Sequence, residues 1–293
     1  MGPVWAGISF VVPDTARFEA DLEARRAAAA SFRKLEAAPY SMETLIHEIT
    51  RQPYVSISPG FVWDAQDAYL FDIDGTLLRS RDRIHVNSFA HSVQRVTGFE
   101  VSLEGIPLQG NTDTGILRAA CEQAGIPAGI LESQTEAILE AMCTTVHEQR
   151  EAMDLVRMPG VEDALRHLAA RGALLGVATG NLELIGWLKI EHAGLREWFH
   201  FGGFADRFPD RSELIGHAAE KAREMAGPQA RVCVVGDTPR DIEAAHANSL
   251  PVIAVATGRS SVEELQAYRP EVCTSSLADL LTQTRAAQTD GLP

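Results

Sequence analysis

The sequence predicts an α/β fold that has a parallel sheet and an inserted helical domain. Two observations lead to this prediction. Short apolar runs at residues 68–71, 173–178 and 231–235 each end in Gly and polar residues, and a helical pattern follows each run. Buried strands of a parallel sheet look like this, and their carboxyl ends bind ligands. Between the first two runs, residues 79–156 are patterned as helices rather than strands, with predicted helices at residues 86–97, 114–124 and 133–151.

The first apolar run ends in the segment Asp72-Ile73-Asp74-Gly75-Thr76. Two carboxylates at the end of a buried strand are costly unless their charge is compensated. A divalent cation compensates it, and a phosphate oxygen can then complete the coordination shell of the metal. Gly75 permits a sharp exit from the strand, and Thr76 adds a hydroxyl and a backbone N–H near the same pocket. An ordinary acidic turn is the alternative, because Asp-Gly is common turn chemistry.

The other two apolar runs also end in oxygen-bearing side chains. Thr179, Gly180 and Asn181 follow the second run, and the Thr179 hydroxyl can hold a phosphoryl oxygen. Asp237 and Asp241 follow the third run, where Asp237 can supply another hard oxygen ligand to a metal. The sequence therefore predicts one site that is shared by three strand ends.

In their order and spacing, DIDGT at residues 72–76, Thr179, a later basic residue and GDTPRD at residues 236–241 resemble the haloacid dehalogenase superfamily. The nearest resemblance is to its phosphoglycolate phosphatase-like and β-phosphoglucomutase-like members, over about residues 66–285. The resemblance implies a Rossmann-like three-layer α/β/α core with a parallel sheet, and a helical cap.

The resemblance also implies roles for individual residues. Asp72 is expected to be the nucleophile that forms an aspartyl-phosphate, and Asp74 the general acid and then the general base. Thr179 is expected to position the phosphoryl group. Mg²⁺ is the expected cofactor. The expected metal ligands are Asp72, Asp237 and the backbone carbonyl of Asp74, with Asp241 supporting them, and Gly75, Thr76, Gly180 and Asn181 are expected to contact the substrate.

A basic residue that offsets the charge of the phosphate is expected in this family, and two candidates are present. Lys189 lies in a helix that follows the Thr179 turn, and Arg211 opens the helix at residues 212–226. Arg can bind phosphate through two parallel hydrogen bonds. Lys and Arg are usually exposed helix charges, so both residues remain candidates.

The acid at Asp74 favours phosphoryl chemistry over dehalogenation, because an alkoxide leaving from phosphorus needs a proton whereas a halide does not. The predicted function is Mg²⁺-dependent hydrolysis of a small phosphorylated metabolite. A sugar phosphomutase is the alternative enzyme. A non-catalytic module that binds phosphate is the alternative from another class.

The inserted segment contains a turn, Gln109 to Asp113, that resembles a substrate-facing turn of such caps. Asn111 and Asp113 are therefore predicted to bind the substrate, although Asp113 could instead be an N-cap of the next helix. His85 and His91 lie on the first cap helix, and a single His is more often packed or exposed than a ligand.

Composition agrees with a soluble enzyme. A net charge of -14 argues against nucleic acid or anionic membranes as partners. The four cysteines show no paired spacing, and no apolar stretch approaches the length of a membrane span. We therefore expect a cytoplasmic monomer or homodimer.

The predicted domains are an N-terminal helical extension (residues 1–66), a core (67–78 and 157–293) and a cap (79–156). Within the extension, residues 14–37 and 41–50 are predicted to be helices, and residues 54–61 an extended linker or an edge strand.

Overall fold

The computed structural model describes residues 53–290. In chain order, the strands among these residues are β1 (Val55–Ile57), β2 (Ala68–Phe71), β3 (Leu78–Ser80), β4 (Leu155–Arg157), β5 (Leu174–Ala178), β6 (Phe201–Gly203), β7 (Val232–Gly236), β8 (Val252–Val255) and β9 (Val272–Thr274). The α-helices are α1 (Ile84–Thr97), α2 (Asp113–Gln123), α3 (Ala128–Glu148), α4 (Val161–Ala170), α5 (Glu183–His192), α6 (Arg211–Ala226), α7 (Pro239–Ala247), α8 (Val262–Ala267) and α9 (Leu277–Asp290).

Seven of these strands form one sheet in the order β1-β9-β8-β7-β2-β5-β6. Every neighbouring pair is parallel except β1 and β9, which are antiparallel with Val55 opposite Thr274. The prediction of a parallel sheet is thus confirmed. The segment predicted as a linker or an edge strand contributes the edge strand β1, so the sheet takes in residues that precede Asp67.

Helices cover both faces of the sheet because the side chains of each strand alternate. On β2, Tyr69 and Phe71 point to one face, where they pack with α4 and α9. Ala68 and Leu70 point to the other face and pack with α6 and α7. All four side chains are fully buried. This confirms the three-layer α/β/α arrangement.

The inserted segment is helical, and the short antiparallel pair β3–β4 lies at its two ends. Helices α1, α2 and α3 share an apolar cluster that includes Phe89, Leu117 and Met142. Leu182 and Ile185, at the start of α5, belong to the same cluster. The cap helices therefore pack directly on the segment that follows Thr179.

The third cap helix differs from the sequence prediction in its bounds. The pattern predicts a helix over residues 133–151, whereas α3 begins at Ala128 and ends at Glu148, before a 3₁₀ turn at Arg150–Ala152. Pro127 occupies the N-cap position, where its lack of an N–H costs no helical hydrogen bond.

Two sequence predictions lie outside the described residues, namely the helices at residues 14–37 and 41–50. Among residues 53–290, no helix is both long and apolar enough to cross a membrane. All four cysteines are free thiols, as their spacing predicts.

Two glycines with the same backbone conformation provide a test of the packing between α4 and α9. Gly160 and Gly172 have φ of 80° and 81°. A Cβ at Gly160 would lie 2.2 Å from the backbone nitrogen of Ala278, whereas a Cβ at Gly172 would meet nothing within 4 Å. Gly172→Ala should therefore cost ~1–2 kcal/mol of unfolding free energy, from the left-handed conformation alone.

Gly160→Ala should cost a further ~1–3 kcal/mol, because backbone atoms must move apart. Urea unfolding of both variants measures the difference. Equal losses would show that α9 does not pack against the start of α4 as described.

Candidate active site

Four strand ends meet at one edge of the sheet. Phe71 on β2 is aligned with Val177 on β5 and with Val235 on β7. The residues that follow these strands therefore lie side by side. They are Asp72 and Asp74 after β2, Thr179 after β5 and Asp237 after β7, and β8 adds Thr257 next to β7.

The carboxylate of Asp72 is paired with Arg211. The Arg211 Nη2 atom lies 3.0 Å from Asp72 Oδ1 and 2.5 Å from Asp241 Oδ1, while Arg211 Nε lies 2.9 Å from the same Asp241 oxygen. Arg211 is the first residue of α6, whose N-cap is Asp210. The helix start thus places one buried guanidinium between two buried carboxylates.

Asp241 is held by both of its carboxylate oxygens. Its Oδ2 accepts hydrogen bonds from the backbone N–H and the hydroxyl of Thr238, at 3.0 Å and 2.7 Å. The bond from the Thr238 N–H, together with one from the Asp241 N–H to Thr238 Oγ1, forms the capping box of α7, and Pro239 occupies the first turn of that helix. Since Oδ1 receives Arg211, Asp241 is placed to orient this arginine behind the two aspartates that follow β2 and β7.

Three buried carboxylates form a group that could hold a metal ion. The side-chain oxygens of Asp72, Asp237 and Asp241 lie within 4.8 Å of one another. Burial raises the pKa of Asp72 to about 6 against the opposing effect of Arg211, and Asp241 and Asp74 raise it further. Burial also raises the pKa of Asp237 well above its ordinary value, with Asp72 and Asp241 adding repulsion.

The charge of this group suits a divalent cation. When all three carboxylates are ionised, Arg211 offsets only one of the charges. A hard divalent ion that prefers oxygen ligands, such as Mg²⁺, would neutralise the other two. Asp72 and Asp237 have the better placed oxygens, because both oxygens of Asp241 are already engaged.

Glycines and a hydroxyl surround Asp237. Thr76 donates to Asp237 Oδ1 at 3.0 Å. A Cβ at Gly75 or at Gly258 would lie 2.3 Å or 1.7 Å from Asp237 Oδ2, so neither position has room for a side chain. Within residues 53–290, Asp237 Oδ2 accepts no side-chain or N–H hydrogen bond and is available to a cation.

Asp74 forms an ion pair with Lys189. Lys189 Nζ donates to both carboxylate oxygens of Asp74, at 2.8 Å and 2.6 Å, and to Asn181 Oδ1 at 2.8 Å. The Lys189 side chain is only 4% exposed, whereas that of Asp74 is 43% exposed. Desolvation opposes ionisation of Asp74, but the charge and hydrogen bonds of Lys189 outweigh it and lower its pKa, with His85 and Asn181 contributing.

Asn181 connects this ion pair to Thr179. The Asn181 amide donates to Asp74 Oδ2 at 2.8 Å and to Thr179 Oγ1 at 2.7 Å. Thr179 is fully buried, and its hydroxyl hydrogen has no acceptor among residues 53–290. This hydroxyl is therefore free to donate to a bound oxygen.

The structure thus separates the two basic candidates. Arg211 lies against Asp72, and Lys189 lies against Asp74. In the sequence, both residues were candidates for one role, that of the basic residue that offsets the charge of the phosphate.

The cap turn at residues 109–113 packs on the core. Asp113 donates its backbone N–H to Gly180 O at 2.7 Å, and its carboxylate accepts from Leu182 N at 2.9 Å. The Asn111 side chain is bonded to Pro107 and Arg240. The N-cap of α2 is Thr112, so the reading of Asp113 as an N-cap is wrong.

One strand end near the site was missed by sequence reasoning. Thr257 Oγ1 donates to Gly75 O at 2.6 Å, and Gly258 adjoins Asp237. The available signal was the apolar run of β8, which enters Ala-Thr-Gly as the other strands enter their turns.

Comparisons with known proteins agree with this geometry. The model of a family described as haloacid dehalogenase-like hydrolase matches residues 69–255. The tyrosine-protein kinase PtkA of Mycobacterium tuberculosis is 28% identical over 207 residues, which cover 69% of this chain and 65% of PtkA. The chain thus spans slightly less than two thirds of the length of that relative.

Two further proteins match over a larger share of their own length. The phosphoglycolate phosphatase of Agrobacterium fabrum is 27% identical over 219 residues, which cover 72% of this chain and 89% of the relative. A crystal structure from Haemophilus somnus, described as a predicted phosphoglycolate phosphatase, has a TM-score of 0.55 at 20% identity. It covers 75% of this chain and 98% of its own, and it shows a shared fold.

The raised pKa of Asp72 predicts a dependence of stability on pH in buffer without divalent cations. The folded-state pKa of about 6 exceeds the ordinary 3.8, so the folded protein binds more protons between these values. Stability should then fall as pH rises through this window. Asp72→Asn should be more heat-stable than the wild type above that window, and its advantage should vanish below it.

Asp67→Asn is the matched control at the other end of β2, because hydrogen bonds from Arg231 lower the pKa of Asp67. It should show no such gain. Melting curves between about pH 3 and pH 8 measure both variants. The absence of any gain for Asp72→Asn at the alkaline end would contradict the described burial of this charge.

Proposed function

The chain belongs to the haloacid dehalogenase-like hydrolase family, and from this premise we propose that it is a Mg²⁺-dependent phosphatase. Its substrate is a small phosphorylated metabolite, and the reaction passes through an aspartyl-phosphate on Asp72. The observation that supports this proposal best is the separate pairing of the two aspartates, Asp72 with Arg211 and Asp74 with Lys189. One carboxylate can act as nucleophile while the other handles the proton.

Asp72 and Asp237 would hold the cation, together with the backbone carbonyl of Asp74, and Asp241 would support them through Arg211. When bound, Mg²⁺ supplies positive charge that offsets the repulsion between a carboxylate nucleophile and a phosphate group. Gly75 and Gly258 let the backbone approach the Asp237 carboxylate closely, because a Cβ at either position would overlap its Oδ2 atom.

In the first step, an Asp72 oxygen attacks phosphorus and the bond to the leaving oxygen breaks. Arg211, fixed by Asp241, orients Asp72 and offers positive charge to the transferring group. The Thr179 hydroxyl donates to a phosphoryl oxygen, because Asn181 already supplies the hydrogen bond that its own oxygen accepts. Gly180 and Thr76 follow β5 and β2 at the same edge, and their backbone N–H groups would bind the other phosphoryl oxygens.

Asp74 moves the protons of both steps. Lys189 favours the ionised carboxylate in the resting site, which is the form that takes a proton from the attacking water in the second step. To protonate an alkoxide in the first step, Asp74 must first acquire a proton, and its pairing with Lys189 makes this costly. The rate of hydrolysis of alkyl esters, relative to that of aryl esters, should therefore rise as pH falls.

A second candidate activity is phosphoryl transfer to a protein tyrosine, which the match to PtkA favours. A tyrosine hydroxyl would then take the place of water as the final acceptor, and a nucleoside triphosphate would be the donor. A sugar phosphomutase would transfer the phosphoryl group to a sugar phosphate instead of to water. Identification of the product formed from each donor separates these three activities.

The proposal is tested first with p-nitrophenyl phosphate and then with 2-phosphoglycolate, the substrate named for the phosphatase relatives. Asp72→Asn should abolish turnover of both, because an amide does not attack phosphorus. Asp74→Asn should slow the alkyl ester by ~10²–10⁴ and the p-nitrophenyl ester much less, since p-nitrophenol leaves with little help.

Asp67→Asn, which lies outside the site, is the control for both esters. Equal losses by Asp74→Asn on the two esters would refute its role as an acid. Turnover of p-nitrophenyl phosphate by Asp72→Asn at the wild-type rate would refute the phosphatase proposal itself.

A further inference from the structure

His85 on the cap faces the acid–base pair of the core. It lies in the first turn of α1, its side chain is 14% exposed, and its ring stacks on Phe89 with the centroids 5.6 Å apart. Its partner Asp113 is bonded to Gly180 and Leu182, on either side of Asn181, whose amide donates to Asp74. The imidazole is therefore near the carboxylate that meets the leaving group.

A buried carboxylate fixes the orientation of this imidazole. His85 Nε2 lies 3.0 Å from Asp113 Oδ2, and the Asp113 side chain is only 5% exposed. The same Asp113 oxygen accepts the backbone N–H of Leu182, and the Asp113 N–H donates to Gly180 O. Asp113 is thus anchored to the core loop that carries Thr179, and it holds the ring of His85 against that loop.

The other ring nitrogen is available. Among residues 53–290, His85 Nδ1 has no hydrogen-bond partner. The single buried side-chain polar atom without a partner in that part of the chain is Ser92 Oγ, so Nδ1 must be reached by solvent. An oriented imidazole that leaves one nitrogen accessible beside the acid–base carboxylate is arranged to meet a ligand.

We propose that His85 Nδ1 binds a polar group of the leaving group and so selects phosphate esters whose alcohol carries a carboxylate or hydroxyl near the ester oxygen. This inference rests on the phosphatase function proposed above. Asp113 is a positioning residue in this arrangement, rather than the substrate ligand that the sequence predicts. The cap would then contact the leaving group through its first helix, α1.

The two ring nitrogens can be tested separately, because amide side chains imitate each of them. In His85→Gln the amide can reach Asp113 as Nε2 does, but nothing replaces Nδ1. In His85→Asn the shorter amide replaces Nδ1, and the bond to Asp113 is lost. The two variants therefore remove opposite halves of the imidazole.

The probes are ethyl phosphate, 2-hydroxyethyl phosphate and 2-phosphoglycolate, which differ only at the end of a two-carbon leaving group. We expect the wild type to prefer at least one polar ester over ethyl phosphate in kcat/KM. His85→Gln should reduce that preference by about ten- to a hundredfold, mainly through KM, and His85→Asn should retain more of it. His91→Gln, on the exposed side of the same helix, is the control and should keep the wild-type preference.

Two outcomes would overturn the inference. One is the reverse order, with His85→Gln like the wild type and His85→Asn impaired on all three esters, because His85 would then serve only to hold Asp113. The other is a wild type that hydrolyses ethyl phosphate as well as both polar esters. Failure of the phosphatase function is distinguishable from these, because p-nitrophenyl phosphate would then also remain uncleaved.

Discussion

The burial of three carboxylates beside a single arginine is the constraint on which the site depends. Asp72, Asp237 and Asp241 are each no more than 6% exposed, and Arg211 offsets the charge of one of them. Uncompensated charge in a buried position is unfavourable, and a bound cation would remove this cost by neutralising the carboxylates. The parallel sheet brings the carboxylates together by ending two neighbouring strands at the same edge, and α6 and α7 supply the arginine and the third carboxylate.

The ion pair between Asp74 and Lys189 differs from the carboxylate cluster in its charge balance. Lys189 is a buried ammonium whose charge is balanced by Asp74, which is itself 43% exposed. The pair is neutral as a unit, so each aspartate of the DIDGT segment has its own basic partner. Asn181 bridges the pair to Thr179. This segregation allows two aspartates two residues apart to carry opposite tasks, one attacking phosphorus and the other transferring protons.

The strands and the polar residues at their ends could be predicted from the sequence, because both depend on local patterns of apolar and polar residues. The apolar runs of β2, β5 and β7 located the strands, and their polar ends located Asp72, Thr179 and Asp237. The partners of Lys189 and Arg211 could not be predicted, because each lies more than 100 residues from the aspartate of the DIDGT segment that it contacts. A basic side chain on a helix gives no sequence signal of which carboxylate it will meet.

The cap turn illustrates the same limit. Its polar residues, Asn111 and Asp113, predict a ligand-facing surface. Their side chains are nevertheless engaged with Arg240, Leu182 and His85. Only the tertiary contact between cap and core shows that Asp113 is bonded at both its backbone and its carboxylate. It also shows that His85 Nδ1 has no partner in the part of the chain that the structure describes.

Calorimetric titration of the protein with Mg²⁺, in the absence of any substrate, tests the central claim most directly. If the surplus charge of Asp72, Asp237 and Asp241 forms the metal site, one ion should bind per chain. Asp237→Asn should then weaken binding strongly, while Asp67→Asn should bind as the wild type does. Equal Mg²⁺ affinity in the wild type and in Asp237→Asn would contradict the account.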